Sequence, residues 1–169
     1  MKLRSLLEKD NIYMLEWMKD HRINRFFRFN SDDVTIKSVT EFIKSCNKDK
    51  NNYHFAIVDD NDIYLGTISL KNIDNIANTA EYAIALRYDA HGKGVGTFAT
   101  KEILDYAFHK LNLNRVYLNV LADNINAIRL YERCGFVFEG EFRKHVKIRG
   151  ELKNLKWYGI LKENYYANR

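Results

Sequence analysis

A chain of 169 residues is long enough for one well-filled domain and short for two. Its 46% hydrophobic content, with Tyr 11 and Phe 10, argues against disorder, and the absence of proline beside only eight glycines leaves no linker in view. The formal net charge of +5 is compatible with an anionic ligand but too small to imply nucleic acid, and Cys46 and Cys134 make no disulfide framework and have no neighbours at metal-ligand spacing.

Met1 to Leu7 reads as a first strand, broken by Glu8-Lys9-Asp10. Asp10 is the expected N-cap of a helix whose Ile12, Leu15, Trp17 and Met18 lie mostly on one face. His21 to Asn30 is the least regular stretch; it sets Arg22, Arg25 and Arg28 among Phe26, Phe27 and Phe29. Ser31 to Asp33 lead into a second helix with an apolar stripe of Ile36, Val39, Phe42 and Ile43, and a polar loop follows over Lys48 to Asn52. Tyr53 to Val58 and Ile63 to Leu70 read as a hairpin around Asp59-Asp60-Asn61-Asp62, followed by a polar turn from Asn72 to Asn78. Thr79 to Leu86 is the next strand. A helix begins near Val95, with Phe98, Ala99, Ile103, Ala107, Phe108 and Leu111 on one side. Arg115 to Leu121 is rich in β-formers. Asp123 to Asn126 cap a helix carrying Ala127, Ile128, Leu130 and Tyr131, ended by Gly135 as C-cap. A strand opens at Phe136-Val137-Phe138, and the closing basic strands turn at Arg149-Gly150-Glu151. The expected fold is one α/β domain over 1–169, with a mixed, mostly antiparallel twisted sheet of about seven strands flanked by about four helices.

Between strand and helix lies Ala90-His91-Gly92-Lys93-Gly94-Val95-Gly96-Thr97, with three glycines in five positions. Glycines let backbone N–H groups turn inward together, and the first helical turn adds unpaired N–H groups and a positive dipole end. This is the composition of a phosphate or pyrophosphate seat, and equally of a flexible surface turn. Gly94-x-Gly96-x-x-Ala99 also satisfies the dinucleotide fingerprint, but Arg87 to His91 intervene after the strand and no further βαβ units follow. The phosphate-loop pattern is absent because Gly94, not Ser or Thr, follows Lys93.

The loop His91-x-x-Gly94-x-Gly96 resembles the Gln/Arg-x-x-Gly-x-Gly/Ala loop of the GNAT superfamily of acetyl-CoA-dependent N-acetyltransferases, with His91 in place of Gln or Arg. Asn124-x-Asn126-Ala127-x-x-Leu130-Tyr131-Glu132-x-x-Gly135-Phe136 resembles that superfamily's later helix nearly position for position. The closing strands look like the subgroup that includes ribosomal-protein and spermidine acetyltransferases. The resemblance implies acetyl-CoA as co-substrate, no metal, and direct acetyl transfer to an amine. It implies that Ile84, Ala85 and Leu86 pair with the pantetheine arm, that His91, Gly92, Lys93, Gly94, Val95, Gly96 and Thr97 cradle the pyrophosphate, and that Asn119, Asn124, Asn126, Tyr131 and Arg133 complete the cofactor site. Tyr131 is the expected general acid to the departing thiolate, against a plain core aromatic, and Glu81 the candidate base, against a strand-edge ion pair. Cys134 reads as a small buried residue, since no His is placed to activate it; His54, His109 and His145 lie singly on different elements.

In the resembled fold, Arg25, Arg28 and Phe29 border the acceptor cleft. Arginines there fit an anionic acceptor, such as an amino sugar on a nucleotide diphosphate, while Asp32 and Asp33 keep a polyamine open. The arginines fit equally a solvated helix surface. The alternatives are an enzyme that acetylates the N-terminus of a ribosomal protein and, from a different class, a non-catalytic RNA- or ribosome-binding module. A small-molecule amine partner is expected, with nucleic acid disfavoured and a homodimer compatible. The polar N-terminus and the lack of a membrane-length apolar run lead to the expectation of a cytoplasmic protein without membrane contact.

Overall fold

The computed structural model describes residues 1–46, 48–49 and 51–167. Of the polar loop expected over Lys48 to Asn52, Lys50 therefore lies outside the described residues. Seven strands form one sheet: β1 (Lys2–Ser5), β2 (Tyr53–Val58), β3 (Tyr64–Asp74), β4 (Thr79–Leu86), β5 (Arg115–Leu121), β6 (Val137–Ile148) and β7 (Glu151–Leu161). Their order across the sheet is β1-β2-β3-β4-β5-β7-β6, and every pairing is antiparallel except β4–β5. The longer helices are α1 (Asn11–Lys19), α3 (Ile36–Cys46), α4 (Val95–Asp105) and α5 (Ile125–Arg133); α2 (His21–Asn24) and α6 (Lys162–Ala167) are short. The sheet and the four longer helices are as expected, and the architecture is α/β.

Strand alternation sorts the apolar side chains onto two faces. On one, Ile68, Leu70, Ala80, Tyr82, Val116 and Leu118 meet Ala99, Ile103 and Phe108 of the α4 region and Ile128 and Tyr131 of α5. On the other, Ala56, Val58 and Tyr64 meet Met14 and Trp17 of α1, Ile23 of α2, and Val39 and Ile43 of α3. A small third cluster, Leu121, Val146, Ile148 and Leu155, lies toward the β6–β7 turn, with Phe26 and Trp157 packed on it.

Several local expectations change. Asp10 stands at the N-cap position of α1, as expected, but it ends a 3-10 turn (Glu8–Asp10) in helical backbone and makes no side-chain cap bond to that helix. Its buried carboxylate instead accepts from the Leu7 N–H at 2.8 Å and from two Arg4 nitrogens at 2.7 and 2.9 Å, because a charge taken out of water needs partners. The turn expected from Asn72 shrinks, since a shift in register after Lys71, with Asn72 at φ 51°, lets β3 pair again at Asp74–Thr79. The irregular stretch contains α2, capped where the Asp20 carboxylate accepts from the Arg22 N–H. The helix begun at Val95 passes into a π turn over Tyr106–Lys110, and α6 was not anticipated.

Candidate active site

β4 and β5 are neighbours for only three residue pairs, Thr79–Arg115, Ala80–Val116 and Glu81–Tyr117. Beyond them β4 stays on β3 as far as Leu86 and β5 stays on β7 as far as Leu121. The two strands thus part into a V whose vertex is Glu81–Tyr117, and the β4 arm over 82–86 has one edge without a strand partner. Ile84, Ala85 and Leu86 lie on that arm, each partly exposed. An unpaired strand edge can take an extended chain by backbone hydrogen bonds.

The glycine loop ends at the mouth of the V. Gly92 and Gly94 have φ of 73° and 78°, where a side chain is costly, and no atom lies within 4 Å of a Cβ built on either. His91 N–H donates to the Tyr88 carbonyl, and the next turn bond is Phe98 N–H to the Gly94 carbonyl. Val95, Gly96 and Thr97 therefore present the N–H groups that a helix start leaves free. Gly96 is a contact point: a Cβ there would stand 3.0 Å from Leu130 of α5. Below it, Tyr82 and Thr100 hydroxyls are 2.7 Å apart and Thr100 donates to the Gly96 carbonyl at 2.7 Å, tying the loop's helix to β4. Lys93 and the His91 ring, 6.0 Å from that of Tyr88, are on the exposed side.

α5 crosses the same face. Asn124 caps it, the side-chain carbonyl accepting from the Ala127 N–H at 3.4 Å, which leaves its amide N–H groups for a ligand. Asn126 and Arg133 are exposed. Tyr131 is buried, its ring edge-on to Tyr82 at 5.6 Å and to Phe136 at 6.0 Å, next to the vertex. Burial pushes its phenol well above the ordinary tyrosine value, so it keeps its proton at neutral pH.

Glu81 points to the opposite face from Tyr82, as adjacent strand residues must. Its carboxylate takes the Asn72 amide at 2.8 Å, the Asn119 amide at 3.3 Å and Lys71 Nζ at 3.4 Å. Both the ion pair with Lys71 and a position at the vertex are therefore present. Asn119 turns to this face too, accepting from Arg28 Nη2 at 3.0 Å, so its side chain lies away from the glycine loop. Arg25 lies over the Phe26 ring at 4.6 Å, whereas Phe29 packs with Phe27 and Trp17. Arg22 leaves the group, bound to Asp20 and stacked on Tyr88 at 3.6 Å. Reading the sequence alone missed Lys71, Asn72, Thr100, Asn24 and Arg149. Only Lys71 was within reach, by counting the hairpin register that sets it opposite Glu81. Trp157, opposite Asn119 on β7, has a buried indole N–H with no partner among the described residues.

Among the described residues no group of three or more His, Cys, Asp or Glu is arranged to hold a metal ion, and no helix is long and apolar enough to cross a membrane. The family model for the acetyltransferase (GNAT) domain matches residues 1–137. The chain is similar to a spermidine N(1)-acetyltransferase of Vibrio cholerae, 28% identical over 159 residues that cover 94% of this chain and 92% of that protein. It is 40% identical over 127 residues, 74% of this chain and 70% of the other, to the probable N-acetyltransferase YjcK of Bacillus subtilis. Among solved structures, spermidine N-acetyltransferase from Vibrio cholerae in complex with CoA and spermine aligns with a TM-score of 0.90 at 28% identity, covering 98% of this chain and 97% of that one.

Proposed function

We propose that this chain, which belongs to the GNAT acetyltransferase family, acts over residues 1–169 as one catalytic domain that acetylates an extended small-molecule amine, with polyamines the first acceptors to test. The chain is an acetyl-CoA-dependent N-acetyltransferase. The observation that carries the polyamine reading is the likeness, over nearly the whole chain, to a solved spermidine acetyltransferase that holds CoA and spermine. The two free thiols, Cys46 and Cys134, suit a reducing, cytoplasmic setting.

The open β4 edge, the left-handed glycine loop and the free first-turn N–H groups fit a pantetheine pyrophosphate, and acetyl-CoA supplies the acyl group as a thioester. Gly92 to Thr97 hold the phosphates, Ile84 to Leu86 pair with the pantetheine arm, and the Asn124 amide and the exposed Asn126, Lys93 and Arg133 border the nucleotide. An alkyl amine of pKa about 10.4 is almost wholly protonated at pH 7, and freeing it costs roughly 4–5 kcal/mol. Glu81, on the acceptor face at the vertex, takes that proton directly or through water, with Asn119, Asn72 and Lys71 fixing its carboxylate. Tyr131, on the other face, keeps its Oη–H to donate to the leaving sulfur. Acid and base thus stand on opposite sides of one sheet opening.

A second acceptor reading, an amine that also carries negative charge, is favoured by Arg25 and Arg28 on the acceptor face. Thiol release from acetyl-CoA is the test, run over polyamines, nucleotide-linked amino sugars, amino acids and N-terminal peptides. Turnover with spermidine or spermine supports the first reading and turnover with the amino sugars the second. Activity confined to peptides would overturn both.

A further inference from the structure

At the β6–β7 turn, Ile148 pairs with Glu151 across the two-residue loop Arg149–Gly150. Both loop residues are left-handed, with φ of 48° and 84°. Two-residue hairpins of this kind favour Asn-Gly, because a larger side chain at positive φ meets its own backbone. An arginine there is kept at a conformational cost, and its side chain is held: Nη2 donates to Asn24 Oδ1 at 2.6 Å. Asn24 is 1% exposed, and its own amide donates to the Met18 carbonyl at 2.9 Å. A buried amide therefore fixes one guanidinium on the wall of a cleft of about 380 Å³ between the hairpin tip and residues 25–26.

The charges in this cleft sort unevenly. Lys153 engages both acids, Asp123 at 3.1 Å and Glu151 at 2.9 Å. Arg149 and Arg25, the latter on the Phe26 ring, have no carboxylate within ion-pair distance among the described residues. The floor is apolar, built on Leu121, Ile148 and Phe26. With both acids drawn onto Lys153 and the lining still net positive, an ammonium in this cleft would meet two guanidinium groups that no carboxylate pairs. An oxyanion would receive two forked donors.

We propose that this cleft binds a phosphate-type anion through Arg25 and Arg149, as the end of the acceptor opposite its amine. The inference rests on the acetyl-transfer reading and develops its second acceptor class. Leu121 in the floor is four residues along β5 from Tyr117, the partner of Glu81 at the vertex. At about 3.3 Å per residue, the anion site and the reacting amine stand roughly 13 Å apart. Asn119, joined to Arg28, lies between them on the same strand face.

The test is calorimetric titration of the full chain with inorganic pyrophosphate while CoA is saturating, so that the glycine loop is already filled. One-site binding is expected, weakened at least about tenfold in Arg149→Gly and in Arg25→Gln, with CoA affinity unchanged. Arg149→Gly suits the left-handed backbone, and a thermal melt checks its fold. No pyrophosphate binding to the CoA complex, or binding unchanged in the double variant, would overturn the site. Spermidine competing with pyrophosphate for the same arginines would overturn the anion assignment. Failure of the acetyl-transfer reading shows separately, as no thiol release with any amine while pyrophosphate still binds; that result would remove the acceptor role.

Discussion

Tyr131 and Glu81 lie near the same strand vertex from opposite faces, and each has a competing structural role that experiment can separate. Tyr131 packs edge-on to Tyr82, so Tyr131→Phe keeps the ring contact and removes only the hydroxyl. If the hydroxyl serves as acid, kcat falls about a hundredfold while the acetyl-CoA KM moves little; an unchanged kcat would reduce Tyr131 to a core aromatic. Because burial raises its phenol, any alkaline fall in kcat near the usual tyrosine range belongs to another group. A second prediction concerns folding. Asp62 is pulled down from 3.8 to about 2, first by its hydrogen bond with Lys9 and then by that with Arg4. A carboxylate depressed in the folded state stabilises above its ordinary value and loses that contribution as pH falls through the folded one. Urea denaturation of Asp62→Asn should therefore show a chain less stable than wild type at neutral pH, with the difference closing between pH 3.8 and about 2. A gap as wide at pH 2 as at neutral pH would assign the effect to something other than the ion pairs.

α5 illustrates how one element serves structure and ligand together. Asn124 uses its carbonyl oxygen as cap while its amide nitrogen stays available to a cofactor. Asn124→Ala should cost about 1 kcal/mol in thermal or chaotrope melts, whereas Asn124→Asp keeps the cap and stays within about 0.5 kcal/mol of wild type. If the amide also serves acetyl-CoA, both variants raise its KM, and Asp the more, by setting a negative charge near the phosphates. An Asp variant with normal stability and normal KM would make Asn124 a cap alone. This helix and the glycine loop were legible in the sequence because their signals are local: a capped apolar stripe, and glycines between a strand and a helix. The acceptor face was not. Arg28 and Asn119 are 91 residues apart, and Asn24 and Arg149 are 125 apart. Asp10 was legible as the residue before the helix but not in its bonding, since Arg4, across the β1–α1 corner, takes the carboxylate that a cap would use.

Across the whole molecule, the sheet is continuous but narrow at its middle. The β1–β4 half carries α1–α3 and the β5–β7 half carries the turn with Arg149, and along the strands only three residue pairs at the foot of the V join them. Above the vertex the halves are linked by side chains: Arg28 to Asn119, Asn119 to Glu81, Arg149 to Asn24. A ligand lying in the V spans both arms and replaces strand pairing that the fold leaves out. CoA should therefore stabilise the chain both by mass action and at a particular place. At a free concentration of about 100 times its Kd, mass action contributes about 2.7 kcal/mol. For a chain of this size that raises Tm by roughly 5–10 °C. Hydrogen exchange gives the location: protection should rise most over 82–86 of β4 and at the first turn of α4, while β1–β2, remote from the V, changes little. A Tm increase with uniform protection, or with none in those two segments, would mean that CoA binds elsewhere on the molecule and that the opening between β4 and β5 is a feature of the sheet rather than its cofactor site.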